Sequence, residues 1–294
     1  MAISKVGVLG CGLMGHGISQ ICAQAGWDVV VREVDQGPLD KGIGKIEKQL
    51  ARGVEKGKLE QSDADAVRAR ITPTLDYADL AESDLVIEAI DEDLEKKLEM
   101  WKEVDGIVKD DAVFATNTSS LPVSEQAAAT KRPERFIGLH FFNPAQVMPL
   151  LEVVRAEESG DEAVKLGFDV GEKLGKTTVA AQDNRGFIVN RLLVPYMLDA
   201  IRAYEQGVGS IEDIDTGMKA GASHPMGPLT LADFVGLDTL VSIGEVMFDA
   251  YGEERFAPPE TLRKMVAAGF YGRKSGKGFY DYSGDKPVVT DLGL

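Results

Sequence analysis

The amino-acid sequence predicts an α/β domain followed by an all-α C-terminal domain. Up to Ala181, short apolar runs of strand length alternate with amphipathic stretches of helical period, an order typical of a parallel sheet covered by helices. From Phe187 onward only the helical period recurs. The change places a boundary near Asp183, so we expect one domain over residues 1–183 and a second over residues 184–294.

The composition narrows the class of protein. The chain of 294 residues is long enough for two ordinary domains, and its net charge of −16 argues against a nucleic-acid or anionic-membrane surface. No run of about 18 apolar residues occurs, so we expect no membrane span. Cys11 and Cys22 are interpreted as free thiols, which favours a reducing, cytoplasmic compartment. No metal site is expected.

The first element is a strand over Lys5–Leu9 that ends in a glycine-rich turn. A helical pattern follows, stops at Gly26, and leads to a second strand over 28–33. Strand, G-x-G-x-x-G turn, helix and strand in about 30 residues are typical of a Rossmann-like dinucleotide-binding domain, because the helix N-terminus offers free N–H groups to a pyrophosphate. The predicted cofactor contacts in this turn are Gly10, Gly12, Leu13, Met14 and Gly15.

The three glycines of the turn have separate predicted roles. Gly10 permits the tight turn, Gly12 removes a side chain that would block the pyrophosphate, and Gly15 lets the helix pack close to the sheet. The next residue, His16, is interpreted as a side chain on the helix surface.

Glu33 ends the second strand about 20 residues past the glycine turn. An acid there accepts hydrogen bonds from ribose hydroxyls and repels a 2′-phosphate, which predicts NAD rather than NADP as the cofactor. Arg32 beside it can accommodate that phosphate, so NADP stays an alternative. The preferred interpretation of Arg32 is a solvent-facing strand residue.

Two further strands deliver polar side chains to the carboxyl edge of the predicted sheet, where ligands bind in open α/β folds. The buried strand 84–90 and a strand over 112–116 both end there. Ser120 fits the N-cap of the next helix, so Asn117 and Ser119 are the ligand candidates. The cofactor contacts predicted beyond the glycine turn are Glu33, Ala89, Glu92, Lys97, Asn117, Ser119 and Asn143.

Arg52 and Lys56 form a local basic face on a predicted helix over 38–58, since residues four apart lie side by side. On an acidic protein such a face could hold the phosphates of a substrate. A solvated helix surface is the alternative and the preferred interpretation.

Two ionisable residues lie in apolar strands where packing would not require them. His140 belongs to the run F-I-G-L-H-F-F and Glu152 to the run L-L-E-V-V, with a break at Asn143-Pro144 between them. A lone buried carboxylate is costly unless it has a partner, so we predict a His140–Glu152 pair. Either the pair serves proton transfer, or it is a buried structural ion pair or a satisfied core histidine. This stretch alone leaves these alternatives open.

In the second half, the capping pattern of Ser210 and Asp213 predicts the start of a helix. Further helices are predicted over 229–248 and 258–268. Asn190 is polar within an apolar helix face, so it is expected to point inward or into a ligand cleft.

Several motifs along the chain form a combination that is more specific than any one of them. Besides the glycine turn and Glu152, they are N-T-S-S-L from Asn117, G-L-H-F-F-N-P from Gly138, G-F-I-V-N-R from Gly186, H-P-M-G-P from His224, G-L-D from Gly236 and G-K-G-F-Y from Gly276. Together they resemble the 3-hydroxyacyl-CoA dehydrogenase family over nearly the whole chain, and most of all its bacterial 3-hydroxybutyryl-CoA dehydrogenases.

The resemblance implies an enzyme that oxidises (3S)-3-hydroxyacyl-CoA, above all 3-hydroxybutyryl-CoA, to the 3-ketoacyl-CoA with NAD, and that catalyses the reverse reduction. It implies His140 as the general acid/base with Glu152 as its partner. It also implies Ser119 and Asn190 as substrate contacts, and a homodimer formed through the C-terminal domain.

Three residues depart from the family pattern without removing a proposed catalytic group. Arg185 stands where the family often has proline, Gln146 where it has proline or an apolar residue, and His16 where it has a small residue. Two other functions stay open: a dehydrogenase of a small free hydroxy acid with the same two-domain layout, and a non-catalytic dinucleotide sensor. His224, in a loop, is interpreted as structural.

Overall fold

The structure, a computed structural model, describes residues 3–292. The chain forms two compact units, Met1–Phe187 and Ile188–Leu294. The division falls four residues after the predicted boundary near Asp183, and the Phe187 side chain is buried in the core of the first unit. Over the described range, no helix combines the length and the apolar character that crossing a membrane requires.

The first unit is built around an eight-stranded sheet. The strands are β1 Lys5–Leu9, β2 Asp28–Arg32, β3 Ile71–Thr74, β4 Leu85–Glu88, β5 Val113–Thr116, β6 Phe136–Phe141, β7 Leu150–Arg155 and β8 Thr177–Gln182. Their spatial order is β3-β2-β1-β4-β5-β6-β7-β8. Neighbouring strands run parallel except β6 and β7, which are antiparallel. This arrangement confirms the predicted Rossmann-like α/β class.

Six α-helices of the first unit accompany the sheet. They are α1 Gly15–Gln24, α2 Gln36–Glu55, α3 Gln61–Ala69, α4 Leu94–Asp105, α5 Val123–Ala127 and α6 Asp161–Lys173. The sequence pattern does not predict β3, because I-T-P-T is short and contains a proline. Its place at the edge of the sheet explains why the proline is tolerated.

Alternating strand residues divide the core of the first unit into two apolar layers. On β1 and β2, Val8 and Val31 belong to one buried cluster, whereas Val30 belongs to the other. On β6, Leu139 belongs to the first cluster and Phe136 to the second. His140 therefore points to the same face of the sheet as Phe136, the face on which α4 and α5 contribute buried side chains.

The second unit is helical, as predicted for the C-terminal domain, and also contains a short β-ribbon. Its helices are α7 Val189–Glu205, α8 Ile211–Gly221, α9 Pro228–Val235, α10 Leu237–Tyr251 and α11 Glu260–Ala267, and its strands are β9 Tyr280–Asp281 and β10 Val288–Val289. Ser210 caps α8 as expected, since its hydroxyl accepts from the Asp213 N–H at 3.1 Å. The helix expected over 229–248 is broken at Gly236, whose φ of 102° lies outside the helical range.

Two buried carboxylates of the second unit hold the chain segment that follows Gly278. Asp215 accepts from the N–H of Leu229 at 2.8 Å and from the hydroxyl of Tyr280 at 2.9 Å. Asp233 accepts from the N–H groups of Phe279 and Tyr280, both at 2.9 Å. Because buried acceptors need donors, these bonds fix the ribbon to α8 and α9.

The cap of α5 corrects the role expected of Ser120. The Ser120 hydroxyl donates to Glu92 at 3.1 Å and does not cap the helix. Instead the carboxylate of Asp183, just after β8, accepts from the N–H groups of Val123 at 2.9 Å and Ser124 at 2.7 Å. The free N–H groups of the helix are therefore satisfied by a residue distant in sequence, which local capping rules do not predict.

Asp183→Ala should lower the free energy of unfolding of the first unit by about 1–2 kcal/mol, because it leaves the first N–H groups of α5 without an acceptor. Both tryptophans, Trp27 and Trp101, lie in this unit, so urea unfolding followed by tryptophan fluorescence measures the loss. Asp169→Ala, which removes only an exposed ion pair with Lys165, is the control and should cost less than about 0.5 kcal/mol. Equal losses in the two variants would disprove the cap.

Candidate active site

The glycine turn between β1 and α1 is crowded at two of its glycines and open at the third. A Cβ on Gly10 would lie 2.6 Å from the carbonyl oxygen of Ala89, and one on Gly15 would lie 1.9 Å from that of Gly10. A Cβ on Gly12 would meet no atom within 4 Å. The turn therefore packs tightly against the ends of β1 and β4, while the space beside Gly12 is available to a ligand.

The start of α1 offers donors to an anion. Its N-cap residue, Met14, makes no side-chain capping bond, so the first N–H groups of the helix stay available, and Leu13 beside it is exposed. The carboxylate of Glu33 reaches the same turn and accepts from the N–H of Cys11 at 2.8 Å. Open space, free N–H groups and an acidic acceptor together fit a dinucleotide.

Arg32 is engaged by its neighbours. Its guanidinium carbon lies 3.7 Å from the centroid of the Tyr77 ring, and its Nε donates to the carbonyl of Leu75 at 3.3 Å. A stacked arginine has less freedom to meet a 2′-phosphate. Arg32 is therefore half-buried rather than solvent-facing, which corrects the preferred interpretation.

His16 is not on the helix surface as expected, because its side chain is only 8% exposed. Its Nδ1 lies 2.6 Å from the carbonyl oxygen of Gly12, one helical turn earlier. Burial lowers the pKa of the imidazole and favours its neutral form. The spacing of four residues from Gly12 is the sequence signal for this contact.

A buried network of charges lies at the carboxyl edge of β4. The Lys97 side chain is 1% exposed, and its Nζ lies 2.9 Å from Glu88 and 2.8 Å from Glu92. Burial alone would lower the pKa of Lys97, but the two carboxylates raise it and keep the ammonium charged. The structure thus gives Lys97 two carboxylate partners, and its predicted cofactor contact stays a prediction.

Glu92 organises the loop that follows β5. Its Oε1 accepts from the N–H of Ser119 at 3.0 Å and from the hydroxyl of Ser120 at 3.1 Å, and Thr118 makes a further short bond to it. From the other side, the Arg185 guanidinium donates to the carbonyl of Ser120 at 2.8 Å. The loop is therefore held by a carboxylate and a guanidinium, and Arg185 acts where the family pattern has proline.

Asn117 joins the ends of three strands. Its N–H donates to the carbonyl of Glu88 at 2.8 Å, and its Oδ1 accepts from the N–H of Phe141 at 3.0 Å. Ala89 lies against the glycine turn, and its N–H donates to the carbonyl of Leu9 at 2.7 Å. The structure therefore brings Ala89, Asn117 and the glycine turn to one edge of the sheet, as predicted.

His140 and Glu152 face each other across the antiparallel pair β6–β7. They are direct register partners, and Nδ1 of His140 lies 2.6 Å from Oε2 of Glu152. Both are buried, at 5% and 0% exposure. Because the carboxylate accepts, Nδ1 carries the proton and Nε2 is the nitrogen that can exchange one with a ligand. The predicted contact is confirmed.

Two aromatic rings flank the imidazole. The ring centroids of Phe142 and Phe187 lie 4.6 and 5.4 Å from that of His140. Phe187 has a φ of 46°, a left-handed conformation that is unfavourable for a bulky side chain and recurs at functional sites. Its position is therefore held by packing in the core of the first unit.

The turn between β6 and β7 contains Asn143, which is exposed, and a cis peptide bond from Asn143 to Pro144. Lys176 holds the turn, since its ammonium donates to the carbonyls of Ala145 at 2.5 Å and Met148 at 2.8 Å. The sequence around Lys176 does not predict this role, because nothing near it indicates that it binds a turn some 30 residues away.

The remaining candidates belong to other elements of the chain. Arg52 lies in the last turn of α2 and Lys56 just beyond its end, both exposed. Asn190 lies in the first turn of α7, in the second unit, where it is half-buried. His224 accepts or donates a hydrogen bond at 2.9 Å with the hydroxyl of Tyr196, in agreement with a structural role.

Comparisons with known proteins agree with this geometry. The family model described as "3-hydroxyacyl-CoA dehydrogenase, NAD binding domain" matches residues 5–184, and "3-hydroxyacyl-CoA dehydrogenase, C-terminal domain" matches residues 186–282. A probable 3-hydroxybutyryl-CoA dehydrogenase of Deinococcus radiodurans is 48% identical over 95% of this chain and 100% of its own. A 3-hydroxybutyryl-CoA dehydrogenase of Mycobacterium tuberculosis is 47% identical over 96% of this chain and 99% of its own.

A solved structure is similar over nearly the whole length of the chain. The (S)-3-hydroxybutyryl-CoA dehydrogenase PaaH1 of Ralstonia eutropha has a TM-score of 0.92 and 40% identity, covering 96% of this chain and 100% of that one. Two family domains, relatives above 40% identity and the shared fold lead to one conclusion. This chain belongs to the 3-hydroxyacyl-CoA dehydrogenase family and carries its NAD-binding domain.

Proposed function

We propose that this protein catalyses the reversible oxidation of (3S)-3-hydroxyacyl-CoA to 3-ketoacyl-CoA with NAD, and that 3-hydroxybutyryl-CoA is its main substrate. The observation that carries the proposal is the buried His140–Glu152 contact of 2.6 Å at the carboxyl edge of an NAD-binding domain. The relatives are named 3-hydroxybutyryl-CoA dehydrogenases, which supports a four-carbon acyl group as the main substrate.

In the proposed mechanism, His140 is the general base of the oxidation. Nε2 takes the proton of the substrate hydroxyl while NAD, when bound, supplies the hydride acceptor for C3. Glu152 holds Nδ1–H by its carboxylate and stabilises the imidazolium that forms. General base catalysis of this kind typically contributes about 10²–10⁴ in rate. In the reverse direction the imidazolium returns the proton to the carbonyl oxygen.

Ser119 and Asn190 are proposed to orient the substrate. Glu92 fixes the main chain of Ser119 by accepting from its N–H. The Ser119 hydroxyl has no hydrogen-bond partner among the residues that the structure describes, so it is free to bind the reacting oxygen. Asn190 is proposed from the resemblance of F-I-V-N-R to the family motif. Both effects would arise mainly from orientation.

The proposed cofactor contacts are the glycine turn and the edge of the sheet beside it. Free N–H groups at α1 would hold the pyrophosphate, and Glu33 would accept from ribose hydroxyls, which favours NAD over NADP. The further proposed contacts are Ala89, Glu92, Lys97, Asn117, Ser119 and Asn143. Arg52 and Lys56 are proposed as partners for phosphates of CoA, supported by their charge and exposure.

His140→Gln and Glu152→Gln should each retain NADH affinity and lose turnover. His140→Gln removes the base, and Glu152→Gln removes the charge that stabilises the imidazolium, so we expect kcat to fall about 10²-fold or more in both. Turnover of acetoacetyl-CoA and the dissociation constant of NADH by fluorescence measure the two properties. Turnover within a few-fold of the wild type would reduce the pair to a structural contact.

The substrate class is tested by comparing acetoacetyl-CoA with free acetoacetate, each with NADH and with NADPH. We expect oxidation of NADH with the thioester and little with the free acid, because the proposed phosphate contacts need CoA. Preference for the free acid would favour a small hydroxy-acid dehydrogenase. Binding of NADH without turnover of any substrate would favour a dinucleotide sensor.

We also propose a homodimer formed through the helical unit. Exposed apolar side chains on α7 and α9 support it, since Leu192 is 68% and Phe234 52% exposed. Sedimentation velocity should give about twice the 31.7 kDa of one chain, and Leu192→Glu should shift the species toward the monomer. A wild-type monomer at micromolar concentration would contradict the proposal.

The buried free thiols Cys11 and Cys22 support a cytoplasmic location, which cell fractionation tests.

A further inference from the structure

A chain of hydrogen bonds connects the glycine turn to the turn between β6 and β7. It begins at the Gly12 carbonyl, which only accepts, so Nδ1 of His16, 2.6 Å away, carries the proton of the neutral ring. Nε2 of His16 is then an acceptor, and the side-chain nitrogen of Gln49 on α2 lies 3.5 Å from it, a long contact. Burial keeps the imidazole in this neutral form by lowering its pKa.

The chain continues from Gln49 to Gln146. The Gln49 side-chain oxygen accepts from Nε2 of Gln146 at 2.7 Å, and Gln20 on α1 offers a second acceptor at 3.4 Å. All donors point the same way, from Gln146 through Gln49 and His16 to Gly12. This single direction makes the members interdependent, because reversing any one of them sets two donors or two acceptors against each other.

Gln146 belongs to the turn that connects the strands of His140 and Glu152. Its amide lies on the first turns of α1, since a Cβ built on Gly17 would come within 2.8 Å of the Gln146 side-chain oxygen. Lys176 holds the same turn through the carbonyls of Ala145 and Met148. The turn is thus held on one side by Lys176, just before β8, and on the other by the polar side chains.

We propose that His16, Gln49 and Gln146 are positioning residues that couple the glycine turn to the turn between β6 and β7. Through the Gly12 carbonyl they set the peptide groups offered to the dinucleotide, and through Gln146 they set the strands that carry His140 and Glu152. His16 and Gln146 are the outer two of the three side chains that form this connection. The catalytic part of the inference rests on the proposed function, whereas the dinucleotide part requires only the NAD-binding domain.

The chain can be broken without removing any of its members. Gly17→Ala places a methyl group where the Gln146 amide lies and should displace that flexible side chain. The control is Gly44→Ala, because both glycines lie inside helices and a Cβ on Gly44 meets nothing within 4 Å. Both substitutions improve helix propensity, so neither should lower thermal stability. We expect Gly17→Ala to weaken NADH binding about threefold or more, and Gly44→Ala to leave NADH binding unchanged.

A double-mutant cycle between His16 and Gln146 separates coupling of the two turns from local damage at either residue. His16→Asn retains a donor for the Gly12 carbonyl but does not reach Gln49, and Gln146→Met retains the length of the side chain but loses its donor. Each should raise the NADH dissociation constant and lower kcat about threefold or more, and the double variant should be no worse than either single one, because each already breaks the chain.

The proposal is overturned if the two effects multiply, if His16→Asn behaves as the wild type, or if Gly17→Ala matches Gly44→Ala. NADH affinity is measured without substrate, so these outcomes are independent of the proposed reaction. Failure of the wild type to reduce acetoacetyl-CoA would instead reject the proposed function and leave the coupling of the dinucleotide site to be judged by NADH binding alone.

Discussion

The burial of Glu152 is the constraint on which the arrangement of this site depends. A carboxylate without solvent exposure is costly unless a partner compensates it, and the antiparallel pairing of β6 and β7 supplies His140 at the facing register position. The connection from Phe141 to Leu150 is too short for a parallel crossover, so these two strands are the one antiparallel neighbour pair of the sheet. A slip of one residue in either strand would move that strand's side chain to the opposite face of the sheet and separate the pair.

The same physical demand recurs at the edge of β4. Glu88 is buried in an apolar strand and is compensated by Lys97, which in turn meets Glu92, the carboxylate that holds the loop of Ser119. A structural ion network and a predicted ligand loop therefore share one residue. Removing a member of such a network leaves a charge without a partner, which costs more than the network contributes in net stability.

Close packing governs the glycine turn in a different way. Gly10 and Gly15 are required because backbone atoms of Ala89 and Gly10 occupy the space of any side chain, whereas Gly12 faces open space that a ligand can fill. This close packing restricts the backbone of the turn, so the orientation of its peptide groups depends on the residues in contact with it. His16 is one such contact, and it connects the turn to the polar chain that ends at Gln146.

The fold class, the glycine turn and the pairing of His140 with Glu152 follow from the amino-acid pattern alone, because each rests on a local pattern or on the cost of burying an isolated charge. The residues that hold the site in place become apparent only in the folded chain. Asp183 replaces Ser120 as the cap of α5, Lys176 holds the turn after His140, and His16 is buried rather than exposed. These contacts join residues far apart in the chain or depend on burial by close packing. A local sequence pattern therefore does not predict them.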